Sequence, residues 1–149
     1  MRIANTWMAA LWSGTWEESI TAMCKVLWRV TWAAYKRRVW TGVAVRVQVK
    51  KTRFRIPDVT VVAGAKPTEP IIRKPPVIAI EVLSPDDRAG DLEDKIADYL
   101  AFGVPYVWVI NPESRRAHVH TQDGSREVKD GLLRAESIEV EVPLAEIFA

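Results

Sequence analysis

The sequence predicts an α/β fold, a mixed β-sheet flanked by helices, and three observations carry that prediction. The first is an apolar run at 77–83, Val-Ile-Ala-Ile-Glu-Val-Leu, followed by a helical pattern at 89–102 and a second apolar run at 106–110. Near-continuous apolar runs belong to strands buried on both faces, and a strand–helix–strand step is the parallel crossover unit. The second is the alternation Val-Ala-Val-Arg-Val-Gln-Val at 43–49, which reads as a strand. The third is a long stretch at 17–39 with helical spacing. With 149 residues, 48% hydrophobic and 27% charged, the chain has the size and composition of one globular domain rather than a disordered segment.

Taken in order, residues 17–39 place Ile20, Met23, Cys24, Leu27, Thr31 and Ala34 on one helical face, the expected packed side, with Lys25, Arg29 and Lys36 on another. Thr15 is the expected cap, with Glu17 and Glu18 in the favourable first turn. Gly42 is the expected stop, before the strand at 43–49. A basic link, Lys50 to Arg55, leads into a strand at 56–63, and a Pro- and Gly-rich loop follows. After the buried strand at 77–83, the helix at 89–102 turns Leu92, Ile96, Tyr99 and Leu100 inward and ends at Gly103. Asn111-Pro112 turns the chain into a strand at 115–121. Asp123-Gly124 and Asp130-Gly131 mark turns, and residues 144–148 form a short closing helix. The chain divides into a Trp-rich basic stretch, 1–42, and a sheet-forming stretch, 43–149, within one structural domain.

The charge is uneven. Residues 1–57 hold 11 Lys/Arg against 2 Asp/Glu, and residues 58–149 hold 10 against 17. A basic half beside an acidic half suits an anionic partner for one and a cation for the other, or else two solvated faces with no partner. Six of the seven tryptophans precede residue 41, which suits a packed helix, a partner face or a base-stacking surface. No uncharged run is longer than 3–16, which is too short for a membrane span of about 20 residues. Cys24 is the only cysteine, so a disulfide scaffold is excluded and a reducing cytoplasm is the expected location.

Three residues stand out chemically. Glu81 lies inside an apolar strand, where an ionised carboxylate is costly unless a cation pairs with it. Asp58 opens a strand after Pro57, and Lys95 borders the sheet-facing side of its helix. Asp58 and Glu81 on neighbouring strand ends suit a hard divalent ion completed by waters. Such an ion acidifies water and neutralises charge on a phosphoryl oxygen, while Lys95 orients the attacking water or offsets the developing charge. The alternatives are structural: Asp58 as a turn cap, Asp91–Lys95 as a helix ion pair, Glu81 paired with a buried cation. His118 and His120 share a strand face, but with no obvious third ligand they read as ordinary strand residues. Ser84 lacks a nucleophile elbow and reads as a helix cap, and no phosphate-binding loop or dinucleotide fingerprint is present.

These residues resemble a family. Arg-Ile-Pro-Asp-Val at 55–59, Ile-Glu-Val-Leu-Ser-Pro at 80–85, the four-residue spacing of Asp91, Lys95 and Tyr99, and Gly-Val-Pro-Tyr-Val-Trp-Val-Ile-Asn-Pro at 103–112 are together similar to the Uma-two family of restriction-endonuclease-like proteins. The resemblance covers roughly residues 44–149. It implies the PD-(D/E)XK nuclease fold, with Asp58 and Glu81 as the metal-binding acids. The lysine usually two residues after the second acid is here Leu83, and Lys95 matches a lysine displaced to the following helix. Tyr99 is a supporting residue. Residues 1–42 depart from the usual family start, and Asn111 stands where relatives carry Asp.

The resemblance implies an endonuclease that uses Mg2+, or Mn2+ in its place, to hydrolyse phosphodiester bonds in nucleic acid, DNA foremost. Asp58, Glu81 and Lys95 would be catalytic, and Lys50, Lys51, Arg53 and Arg55 would contact phosphates. A membrane partner is not expected, and a homodimer suits a nuclease that cuts two strands. The competing expectation is a catalytically degraded member that only binds DNA or dimerises.

Overall fold

The computed structural model describes residues 15–35 and 38–148, so Trp7 and Trp12, the side chains of Thr15, Trp16, Glu17 and Ala34, and the whole of Lys36 lie outside the described residues. Helix α1, Thr15–Tyr35, is followed by strands β1 Val39–Val43, β2 Arg46–Lys50, β3 Arg53–Arg55, β4 Val59–Ala63, β5 Ile71–Ile72 and β6 Ile78–Val82. Helix α2, Ala89–Phe102, leads to β7 Tyr106–Asn111, β8 Arg116–Thr121, β9 Gly124–Glu127, β10 Leu132–Ala135, β11 Val140–Pro143 and helix α3 Leu144–Ile147. Six strands form the main sheet in the order β1-β4-β6-β7-β8-β9. Only β6 and β7 run parallel in it, and α2 supplies the crossover between them. Smaller sheets are formed by β3-β2-β5 and by β10-β11. No described helix is long and apolar enough to cross a membrane.

The period-two alternation of the strands builds two cores. Ile78, Ile80 and Val82 of β6, with Trp108 and Ile110 of β7, pack against Val26 and Val30 of α1 and against the β10-β11 hairpin. On the opposite face Ala79 and Val107 pack with Tyr99 of α2 and with Val47, Val49 and Ile72 of the small sheet. Glu81 shares the parity of Ala79, so the alternation itself delivers its carboxylate to the α2 side at the strand's end. Gly103 ends α2 at φ 105, a left-handed conformation that favours glycine.

Several boundaries differ from the sequence reading. The alternating run at 43–49 is not one strand, because Ala44 adopts φ 50 and donates its N–H to the Asp58 carbonyl at 3.1 Å. The chain thereby leaves the main sheet after β1 and enters the small sheet as β2. Gly42 does not stop a helix. It lies within β1 beneath the Trp40 indole, which a Cβ at that position would overlap. The basic link at 50–55 is itself a hairpin, with β3 antiparallel to β2. Helix α1 is also rotated relative to the expected face: Ala22, Val26 and Val30 are buried, whereas Cys24 and Thr31 are exposed. The β-branched valines fit the sheet surface, and the bulkier Trp28 and Trp32 stay outside, stacked with ring centroids 6.2 Å apart.

Candidate active site

Asp58, Glu81 and Lys95 come together in a cleft of about 180 Å³, with Ser19, Ile20 and Met23 of α1 forming its far wall. Each arrives from a different element. Asp58 immediately precedes β4, and its Oδ2 accepts a hydrogen bond of 2.7 Å from the Val82 N–H. This bond ties the start of β4 to the end of β6, so Asp58 does more than cap a local turn. Glu81 is only 5% exposed. The Tyr99 hydroxyl donates to its Oε1 at 2.7 Å, and the Lys95 ammonium stands 3.6 Å from its Oε2. Lys95 and Tyr99 are one helical turn apart on α2, which is why both reach the same carboxylate. Lys95 thus faces Glu81 rather than serving only as an i, i+4 partner of Asp91.

The site is short of positive charge. Burial foremost, and then the facing Asp58 carboxylate, push Glu81 from an ordinary 4.5 to about 7, against the opposing pull of Lys95 and Tyr99. Burial also raises Asp58, against the Val82 hydrogen bond and Lys95. Burial and the charge of Glu81 push the Tyr99 phenol up, so it remains a donor. Asp87, which the sequence reading did not single out, lines the same cleft and raises both carboxyls further. Its Oδ2 accepts from the Ser84 N–H at 2.7 Å and the Ser84 hydroxyl at 3.0 Å. Ser84 therefore braces Asp87 and does not cap α2, whose N-cap position is Arg88 without a side-chain bond. A larger cleft of about 370 Å³ shares Ser19, Ser84 and Asp87 and runs on past Arg88 to Asn111 and Glu113.

The donor set fits a hard divalent cation. Two carboxylates of raised proton affinity face one cleft, Asp58 adding to the rise at Glu81, and Asp58 Oδ1 makes no hydrogen bond among the described residues. No three His, Cys, Asp or Glu side chains among the described residues converge on one point, so an ion here would draw its remaining ligands from water or substrate. His118 and His120 lie on β8 with ring centroids 6.5 Å apart, separated from β6 by β7, and neither lines the cleft that holds Asp58 and Glu81.

The four basic residues expected to meet phosphates divide. Lys50, Arg53 and Arg55 all point at Asp98, with closest approaches of 3.5, 3.2 and 2.7 Å, whereas Lys51 is exposed and makes no ion pair among the described residues. Asp98 is buried beside Tyr99 on α2. Burial works to raise its carboxyl, but the hydrogen bonds and charges of Arg55 and Arg53 outweigh that and hold it below the ordinary value. The sequence reading missed Asp98. The one local signal was an acid next to an inward-facing tyrosine; its pairing with the hairpin cations is visible only in the fold.

Comparisons with known proteins agree with this architecture. Among curated proteins none matches the chain. A crystal structure of a putative nuclease belonging to DUF820 from Anabaena variabilis superposes with a TM-score of 0.75 at 17% identity. The match covers 88% of this chain and 80% of that one, which shows a shared fold. The Uma2 family model, described as "Putative restriction endonuclease", matches residues 19–148, from within α1 to the end of the described chain. By that match the chain belongs to the Uma2 family of putative restriction endonucleases.

Proposed function

We propose that the protein is a divalent-metal-dependent endonuclease that hydrolyses phosphodiester bonds in nucleic acid, with DNA as its substrate and Asp58, Glu81 and Lys95 as its catalytic residues. The observation that carries this reading is the convergence of two proton-affine carboxylates and one lysine in a single cleft. Asp58 and Glu81 would hold Mg2+, with Mn2+ able to replace it. When bound, the ion supplies Lewis acidity and neutralises charge on the phosphoryl oxygens. Tyr99 fixes the orientation of Glu81 through Oε1 and leaves Oε2 turned towards Lys95. The Lys95 ammonium donates hydrogen bonds to the attacking water or to the phosphoryl oxygen on which charge develops.

Calorimetric titration with Mn2+ tests the site without a known substrate. Wild type is expected to bind in a way that a folded Asp58→Ala variant does not. Affinity is expected to increase as pH rises through about 7, because Glu81 must release its proton before it can ligate. A folded wild type that binds no Mn2+ even with DNA present would count decisively against the reading and leave a degraded, binding-only member of the fold.

The proposal includes a homodimer, in which two copies of the site would cut the two strands of a duplex together. The exposed, stacked Trp28 and Trp32 on α1 support that part of the reading. A Trp28→Ala, Trp32→Ala double variant is expected to have half the wild-type mass in sedimentation. An unchanged mass would remove this face as the interface.

A further inference from the structure

The cations of the β2–β3 hairpin outnumber the anion that gathers them. Lys50, Arg53 and Arg55 converge on the single carboxylate of Asp98, and Lys51 extends from the turn between the strands. Their roles separate by exposure. The Arg55 side chain is 23% exposed and directs both Nε and Nη2 at Asp98 Oδ2, at 2.8 and 2.7 Å. Lys50 and Arg53 are 55% and 50% exposed, and their contacts with Asp98 are longer, at 3.5 and 3.2 Å. Arg55 is therefore the locked member, and the others keep donors turned towards solvent.

The placement links this cluster to the candidate active site. Asp98 follows Lys95 by three residues, about 4.5 Å along the helix axis, and its neighbour Tyr99 bonds Glu81. Phosphates of one nucleic-acid strand advance about 3.4 Å per nucleotide along a duplex. A strand with its reacting phosphate at Lys95 would thus bring the phosphates one or two nucleotides away to the hairpin. Without Asp98 the clustered cations would repel one another and fan apart; with it they share one register against α2.

Resting on the nuclease reading, we infer that the β2–β3 hairpin is the phosphate clamp of this site. Lys50, Lys51 and Arg53 take backbone phosphates flanking the reacting one, and Asp98 with Arg55 is the positioning pair that seats the hairpin beside Lys95.

Binding of a fluorescent DNA duplex, with Ca2+ in place of Mg2+ and across a range of KCl concentrations, tests the clamp. Lys51→Ala and Arg53→Ala are each expected to weaken binding and to flatten the slope of log affinity against log salt by about one. Lys129→Ala, an equal charge loss at an exposed position beyond the far edge strand β9, is expected to leave that slope unchanged. Asp98→Asn makes the protein more positive, so unspecific attraction would tighten binding, whereas loss of positioning weakens it. Thermal unfolding checks that each variant is folded, and the hairpin variants stand as the test if Asp98→Asn is not. A Lys50→Ala, Lys51→Ala, Arg53→Ala variant with the wild-type slope would overturn the clamp alone. A wild type that binds neither DNA nor RNA would overturn the clamp and the nuclease reading together.

Discussion

Glu81→Gln is expected to make the metal-free protein more stable while ending metal-dependent cleavage. In the folded chain Glu81 holds its proton up to about 7, whereas its ordinary value is 4.5. Between those pH values the folded state binds a proton that the unfolded chain has released. Stability therefore falls as pH rises through this window and levels off above it. The raised Asp58 carboxyl acts in the same direction. At 1.36 kcal/mol per pKa unit, the cost of an ionised Glu81 at pH 8 is roughly 3 kcal/mol. Glutamine removes that cost and keeps an acceptor for the Tyr99 hydroxyl. For a chain of this size the melting temperature is expected to rise on the order of 6–12 °C at pH 8, with little change at pH 4.5. Thermal unfolding of both proteins in a chelator checks this. Equal melting temperatures at pH 8 would mean that Glu81 ionises in the fold without cost.

Lys95→Ala is expected to reduce DNA cleavage by about 10²–10³-fold, the scale of losing one donor at developing charge. Its side chain is 32% exposed and its ion pair with Glu81 is 3.6 Å long, so the fold is expected to survive. Mn2+ binding at pH 8 should persist, because the variant removes a like charge beside the ion and no ligand. Retained binding with lost cleavage assigns Lys95 to the chemical step. Cleavage at the wild-type rate would remove it from the assignment, and loss of both would make it a structural partner of Glu81.

The centre of the fold was legible because several local signals agreed there. An apolar run, a helical repeat, Gly103 and a second apolar run leave little choice but β6–α2–β7. Glu81 stands out for the same reason, since a carboxylate in such a run needs a partner. The strand break at Ala44 was not legible, because a positive φ at alanine carries no Gly or Pro marker. The rotation of α1 escaped the periodicity because apolar residues occur all round it, and Trp28 and Trp32 stayed outside on steric grounds. Strands β9, β10 and β11 are short and carry Arg126, Glu127, Arg134 and Glu141, which masks their alternation. Asp98 needed the fold, because its three cations lie more than 40 residues away in sequence.

The small sheet β3-β2-β5 shares no ladder with the main sheet, and Asp58 stands where the chain passes from β3 back to β4. Such a unit can open as a foldon of its own, exchanging its amide hydrogens sooner than β6 and β7. Each opening would slacken the chain on one side of Asp58 and remove the packing of Val47, Val49 and Ile72 from Tyr99, while the Val82 hydrogen bond still holds Asp58 to β6. Both acids are thus anchored on the main sheet, and the small sheet governs the packing of Tyr99, which orients Glu81, and the slack of the chain that enters Asp58. A strand of nucleic acid held by the hairpin would keep the small sheet closed for longer, coupling substrate capture to the orientation of Glu81 through Tyr99.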